Sequence, residues 1–253
     1  MMLVLHKLRS LSEFEFRLAL EDKVVFLYTL VFPAAYFLAI SWRKFAAGGV
    51  TPASEILSNL FGFWAYIMLT GVINQITVTI FQMRENNFLK MYTFISGDKR
   101  LIYYANLIPQ VMIIQIEIAL FDVLAILIYR PSDRLLALIG IFWLINFILI
   151  PIIAFFTTVI LILPIKARTL TMYLTGYIFA ALALGTITFK SPLVTTIVTF
   201  INPVDFQETA YSLFLQHSQS LFAGTLLLVV GAAYIILGNL IISKMSLASR
   251  TSR

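Results

Sequence analysis

Long apolar runs separated by short charged stretches make up most of this sequence. A helix needs about 20 apolar residues to cross the roughly 30 Å of hydrocarbon in a bilayer, because each residue rises about 1.5 Å. Runs suited to this role are 24–42, 56–81, 101–129, 135–163, 169–189 and 221–243. Because they are continuous rather than alternating, they predict helices and not barrel strands. We therefore predict an all-α integral membrane fold with six transmembrane helices in a single domain, 1–253.

The composition agrees with a chain that is solvated by lipid. Hydrophobic residues make up 60% of the sequence and charged residues only 12%, which excludes an ordinary soluble domain. The absence of cysteine excludes disulfides and thiol catalysis. Most of the 18 Lys and Arg residues fall on the side of the predicted spans that also holds both termini. The positive-inside rule then places both termini in the cytoplasm and the chain in the inner (plasma) membrane.

The net charge of +6 is accordingly assigned to this topology and to contact with anionic lipid headgroups, and no nucleic-acid partner is expected. The first residues, 1–22, carry both charges and apolar side chains. Wound as a helix, they form an apolar stripe that Glu15 interrupts, made of Val4, Leu8, Leu11, Phe14 and Leu18. This pattern predicts an interfacial helix in the cytoplasmic leaflet, with a solvated helical lead-in as the alternative.

The connection 82–100 is predicted to contain a short amphipathic helix on the cytoplasmic side. Apolar residues recur there at helical spacing, at Phe88, Tyr92 and Ile95. Gly97 is suited to end this helix, and Asp98 to cap the next one. Such an apolar helix between charged ends rests on lipid or inserts into a groove of a partner.

The segment 190–219 is predicted to form broken, re-entrant helices on the external side. Pro192 opens an apolar stretch, 193–201, that is too short to cross and is closed by Asn202 and Pro203. A second apolar stretch follows at 210–215. An ordinary external loop with buried apolar residues is the alternative.

These features together resemble the permease subunit of a type-2 ATP-binding-cassette (ABC) exporter over essentially the whole chain. The order of parts matches: N-terminal helix, six spans, a cytoplasmic helix after span two and a broken element before span six. Arg84-Glu85-Asn86-Asn87-Phe88-Leu89 with the later Ser96-Gly97-Asp98-Lys99-Arg100 is similar to the family's coupling segment. Pro192 and Asn202-Pro203-Val204 are similar to its late Pro and Asn-Pro pair. Many members have Gly where Asn87 stands and Pro where Gly97 stands.

The resemblance implies a non-catalytic permease that forms the translocation pathway with a second permease chain, identical or related. It implies a separate ABC ATPase dimer on the cytoplasmic face, and ATP and Mg²⁺ would be bound by that partner and not by this chain. The coupling residues would be Phe88, Leu89, Tyr92 and Ile95, seated in the ATPase, with Arg84 and Glu85 at the rim. The sequence agrees in having no Gly-rich loop that ends in Gly-Lys-Ser or Gly-Lys-Thr.

Glu117 and Asp122 are acidic residues within the run 101–129. An ionisable group at membrane depth is costly if it faces lipid, so both carboxyls are expected to face protein or water. Five residues turn a helix by about 500°, so the two do not form a side-by-side pair. They are candidates for the pathway together with Asn74 and Gln75, and contacts between helices are the alternative.

Cargo is expected to be an amphipathic peptide or a hydrophobic drug, with a lipid-linked polysaccharide or a lipid as the alternative. Three further classes remain at this stage. An ion-coupled secondary carrier would use Glu117 or Asp122, but inverted repeats are not visible. A membrane-embedded enzyme would need a metal cluster or a nucleophile with its base, and a membrane scaffold would not bind an ATPase.

Overall fold

The computed structural model describes residues 2–21, 26–46, 51–163, 165, 167–187, 191–215 and 221–247. Every regular element in these ranges is helical. The α-helices are α1 (Met2–Glu21), α2 (Phe32–Ala46), α3 (Ala53–Gly71), α4 (Thr79–Glu85), α5 (Phe88–Ser96), α6 (Lys99–Tyr129), α7 (Asp133–Thr157), α8 (Ala167–Gly185), α9 (Pro192–Ile201), α10 (Pro203–Leu215) and α11 (Leu221–Lys244).

In the described ranges, two π-helical segments and one 3₁₀ segment continue these α-helices without a break. The first π segment, Leu27–Val31, leads into α2, and the second π segment, Val72–Val78, joins α3 to α4. A 3₁₀ segment, Thr158–Ile162, prolongs α7. Because the second π segment is continuous with its neighbours, Ala53–Glu85 behaves as one long helix of 33 residues.

Within the described residues, four helices are long and apolar enough to cross a membrane: Ala53–Glu85, Lys99–Tyr129, Asp133–Ile162 and Leu221–Lys244. They match four of the predicted spans, each within a few residues. Shorter apolar helices, Leu27–Trp42 and Thr169–Gly185, stand where the other two spans are predicted. The helical character of the described chain is thus confirmed, and the four apolar helices indicate a multi-pass membrane protein, whereas the count of six spans stays a prediction. Parts of the predicted segments lie outside the described residues, namely 1, 22, 24–25, 188–190 and 216–219.

One face of α6 carries a continuous apolar stripe that no other described part of the chain covers. Its members follow a spacing of three or four residues, at Ile108, Met112, Ile116, Leu120, Val123 and Leu127, and each is about half exposed or more. Twenty residues of helix span about 30 Å, which is the thickness of the hydrocarbon layer. An uncovered stripe of this length is what a helix facing lipid presents.

The N-terminal segment runs alongside α6 in the same direction. The side-chain amine of Lys7 donates to the carbonyls of Ile95 and Ser96, 88 and 89 residues later. The Asn106 amide donates to Glu15 across 91 residues, Thr29 donates to Glu117 across 88, and Ser41 donates to Tyr129 across 88. Because the sequence separation of the bonded residues is nearly constant, the two segments lie side by side and run in the same direction. The N-terminal helix therefore accompanies α6 instead of crossing it.

The face of α1 that packs on α6 differs from the predicted stripe. Phe14 and Leu18 are 45% and 44% exposed, whereas Glu15 is only 4% exposed. Asn106 donates to the Glu15 carboxylate at 3.0 Å, and this polar partner on α6 is the reason that an acid occupies the buried face. Burial raises the pKa of Glu15 above its ordinary value, while the bond from Asn106 opposes that shift. The segment is helical as predicted, its predicted apolar stripe is wrong, and its position at the membrane interface stays a prediction.

The broken element before the last span consists of two helices, as predicted for 190–219. Proline begins each of them, at Pro192 and Pro203, where its missing N–H is not needed. The Asn202 side chain accepts from the Val204 backbone N–H at 3.1 Å and donates to the carbonyl of Ala181 at 2.9 Å. The turn between the helices is thereby fastened to α8. The second helix is longer than the apolar stretch 210–215, because this cap starts it at Pro203.

Candidate functional site

The coupling segment contains a short helix, α5, between two residues in the left-handed backbone region. Asn87 precedes it with φ of 61°, and Gly97 ends it with φ of 88°. Glycine and asparagine are the residues that adopt this region at least cost. Asp98 then caps α6, because its carboxylate accepts from the Arg100 N–H at 2.9 Å. The predicted helix end and the predicted cap are both confirmed.

The outward face of α5 is apolar and uncovered. Phe88 is 50% exposed, Met91 48%, Phe94 92% and Ile95 65%. A soluble surface rarely shows four large apolar side chains on nine residues of helix, so this patch is suited to contact with lipid or with a partner. We call these four residues the α5 patch. Beside it, an open groove of about 530 Å³ lies between α5 and Leu247.

The predicted coupling residues do not all lie on this patch. Leu89 is fully buried against the rest of the chain, Tyr92 is half-buried, and Arg84 is only 1% exposed. Leu89 and Arg84 therefore cannot touch a partner in this conformation. Met91 and Phe94 take their place on the outward face, which the spacing of three residues from Phe88 to Met91 to Phe94 could have revealed.

Arg84 holds the segment before α5 in place. Its guanidinium donates to the carbonyl of Leu161 and, at 3.2 Å, to the carboxylate of Glu85. The guanidinium also lies 4.4 Å from the centre of the Phe81 ring. The other end of α5 is held by Lys7, while Lys99 donates to the carbonyl of Met245 at 2.6 Å. α5 is thus fixed at both ends to the long helices.

Glu117 lies at the middle of α6 and is 1% exposed. The Thr29 hydroxyl donates to its Oε1 at 2.8 Å, and the Gln75 amide donates to the same oxygen at 3.3 Å. The second carboxylate oxygen, Oε2, is buried without a hydrogen-bond partner among the described residues. Gln75 is buried as well, whereas Asn74 beside it is half-buried. The structure therefore brings Glu117 and Gln75 together.

Asp122 belongs to a different cluster, as the helical spacing predicts. The Trp64 indole donates to its carboxylate at 2.7 Å. The rings of Trp64 and Tyr211 lie 5.7 Å apart, and the Tyr211 hydroxyl donates to Asn146 at 2.5 Å. This cluster ties α10 to three of the long helices. Both acids are thus engaged by side chains of neighbouring helical segments.

No family model, curated protein or solved structure matches the chain. Within the described residues there is also no group of three or more His, Cys, Asp or Glu side chains arranged to hold a metal ion. The functional argument therefore depends on the α5 patch and on the buried polar groups of α6.

Proposed function

We propose that this chain is the membrane-spanning permease subunit of an ATP-driven exporter of the type-2 ABC kind. In this proposal it crosses the inner membrane six times, both termini lie in the cytoplasm, and two permease chains form the pathway. The observation that carries the proposal is the α5 patch, which joins the ends of two long helices and has no cover in the described part of the chain.

The α5 patch has the two properties that a coupling contact needs: exposed apolar side chains and a firm attachment to the long helices. Phe88, Phe94 and Ile95 supply apolar side chains that an ATPase groove would desolvate. The bonds of Arg84, Lys7 and Lys99 hold the helix to its neighbours, so a displacement of α5 would be passed to the spans. Asn87 supports the resemblance, because many members have Gly at this position and glycine adopts the left-handed backbone of Asn87 without strain.

The partner in this proposal is an ABC ATPase dimer, which binds ATP and Mg²⁺ itself. The cargo proposed is an amphipathic peptide or a hydrophobic drug, with a lipid-linked polysaccharide as the alternative. The burial of Glu117 and Asp122 between helices does not favour the ion-coupled carrier as the primary function, since a carrier needs its coupling site to open toward the pathway.

The test is to replace Phe88 and Ile95 together by Asp. Charges on the α5 patch should abolish binding of the ATPase and export, because a groove that accepts apolar side chains would have to desolvate two carboxylates. Both side chains are half exposed or more, so the folded yield should not change. The measurement is co-purification with a co-expressed ABC ATPase, followed by ATP hydrolysis and transport in proteoliposomes.

A matched control replaces the same two residues by Leu, which keeps the patch apolar and should keep ATPase binding. Leu89→Asp serves as the opposite control, because this side chain is fully buried and its loss should lower the folded yield. Stoichiometric co-purification and normal transport by the Asp double variant would remove the coupling assignment.

A further inference from the structure

Only one of the two carboxylate oxygens of Glu117 accepts hydrogen bonds in the described structure. Both donors, Thr29 and Gln75, bind Oε1. Oε2 is buried without a partner in the described chain, and so is the Oε1 atom of Gln75. Each open oxygen is joined through a single carbon to an atom of the Gln75–Glu117 hydrogen bond. Both open oxygens therefore belong to one hydrogen-bonded pair of buried side chains.

A buried acceptor oxygen is stabilised by a hydrogen-bond donor or by a cation. A buried acceptor that is left unsatisfied destabilises a protein by about 1–3 kcal/mol, and a buried charge by more. The partners already present at Glu117 are a hydroxyl and an amide, and neither is charged. A bound cation would satisfy both open oxygens and would neutralise the carboxylate within the membrane.

The backbone around this point has a geometry associated with ligand sites. Thr29 stands on the first π segment, Leu27–Val31, and Gln75 on the second, Val72–Val78. A π-helical turn displaces carbonyls from the regular bonding pattern and is frequent at functional sites. In membrane transporters, irregular helical backbone near the midplane supplies oxygen ligands to Na⁺. Two irregular segments from different parts of the chain thus converge on one carboxylate.

We propose that Glu117 and Gln75 form a binding site for a sodium ion between the two π segments and α6. Hard cations take oxygen ligands, which a carboxylate, an amide oxygen and displaced carbonyls provide. The charge is that of one carboxylate, since both side chains that bond Glu117 in the described structure are neutral. One negative charge matches a monovalent ion, whereas a divalent ion would leave a net positive charge within the membrane.

Two more buried polar residues precede Glu117 on α6, toward the end of the helix at Lys99. Gln110 and Asn106 lie on the same face as Glu117, because separations of 7 and 11 residues return the helix to within about 20° of its starting direction. Both are buried, and each has a side-chain oxygen without a hydrogen-bond partner in the described structure. At about 1.5 Å per residue they stand roughly 10 Å and 16 Å before Glu117. They extend the buried polar face of α6 from Glu117 toward the Lys99 end of the helix.

The test measures sodium binding to the purified full chain in nanodiscs, without any ATPase. Thermal unfolding is followed at fixed pH and ionic strength while sodium chloride replaces choline chloride, and bound radioactive sodium is counted directly. We expect a saturable rise of the unfolding midpoint with sodium and one sodium ion bound per chain. Potassium chloride in place of sodium chloride measures the selectivity of the site.

Two variants place the ion at this site. Glu117→Gln should abolish the saturable response. Gln75→Leu should weaken half-saturation by about tenfold, the ratio produced by the loss of one polar contact of ordinary strength. Asp122→Asn is the matched control, because this acid lies on the same helix and is buried but is bound by Trp64. It should keep the sodium response of the unaltered chain.

Three results would overturn the proposal. The first is an unaltered chain that binds no sodium, which is decisive even if a variant fails to fold. The second is a sodium response that survives in Glu117→Gln. The third is stabilisation by acid without any effect of sodium, which would identify a protonated carboxyl instead. Because the experiment contains no ATPase, its failure leaves the proposed export function untouched, and the reverse also holds.

Discussion

Arg84 is a cation inside the folded chain, at the point where α4 ends and the turn to α5 begins. Its guanidinium is shared between the Leu161 carbonyl, the Glu85 carboxylate and the face of the Phe81 ring. The planar fork of arginine allows these contacts to form at once, which a lysine amine does not. The residue therefore connects the coupling segment to the end of the 3₁₀ segment.

Replacing Arg84 by Ala should lower the free energy of unfolding by about 3–5 kcal/mol, the usual cost of removing one member of a buried ion pair. The folded yield from membranes should fall in parallel. Arg84→Lys should recover only part of the loss, because it restores the charge without the fork. Thermal unfolding in detergent measures both variants. A stable Arg84→Ala chain that fails only to bind an ATPase would instead return Arg84 to the rim of the partner contact.

The role of a residue could be predicted from the sequence where it depends on its neighbours in the chain. It could not be predicted where it depends on a contact with a residue far away in the sequence. Asp98 was predicted as a cap because capping depends on the next few residues alone. Glu117 was expected to face protein or water, which follows from membrane solvation. Its pairing with Thr29 and Gln75 was not predicted, because these residues come from segments 88 and 42 positions away. Nor did the sequence indicate the π-helical turns that present them.

At the scale of elements, α7 and α11 pack through a close contact at Gly238. A Cβ atom at this position would lie 2.7 Å from the backbone carbonyl oxygen of Phe155 and 2.8 Å from its Cβ. Neither atom belongs to the flexible end of a side chain, so the helices themselves would have to separate. Small residues at such crossings let membrane helices approach closely, which is a main source of their association.

Gly238→Ala should therefore destabilise the chain by about 1–3 kcal/mol, the usual range for overpacking a close contact. Gly238→Leu should cost more, because it adds volume at the same point. Gly140→Ala is the matched control, since a Cβ there meets nothing within 4 Å and alanine favours the helix. Unfolding by a denaturing detergent, followed by tryptophan fluorescence, measures all three. Equal stability of Gly238→Ala and Gly140→Ala would contradict the close packing of α7 and α11.

Most elements could be predicted from the apolar runs, and their ends from proline, glycine and asparagine. The broken element shows why, because Pro192, Asn202 and Pro203 act on the backbone beside them. The buried face of α1 could not be predicted in the same way. Its hydrophobic pattern indicated Phe14 and Leu18, but the polar Asn106 on α6 selected Glu15.

For the whole molecule, the proposed topology places α5 in the cytoplasm and the turn before α7 outside. The chain contains no cysteine, so one introduced thiol gives one labelling site. Phe94 is 92% exposed, which makes Phe94→Cys accessible without disturbing the packing. An impermeant maleimide should label this variant only after the cells are permeabilised.

Ser132→Cys is the counterpart on the other side, because Ser132 is exposed in the turn between α6 and α7. It should be labelled in intact cells. Mass spectrometry of the purified chain measures both reactions. Labelling of Phe94→Cys from outside intact cells would invert the topology, and the contact with a cytoplasmic ATPase would be excluded with it.

Lys7, Glu15, Thr29 and Ser41 all bind residues that the ribosome adds roughly 90 positions later. At about 5–20 residues per second, synthesis of that interval takes roughly 4 to 18 s. During this interval the N-terminal residues lack their hydrogen-bond partners on α5 and α6. The helices α3 and α4 are synthesised before those partners. The start of the chain consequently finds its partner only after the intervening long helix has been made, although before the second half of the chain is synthesised.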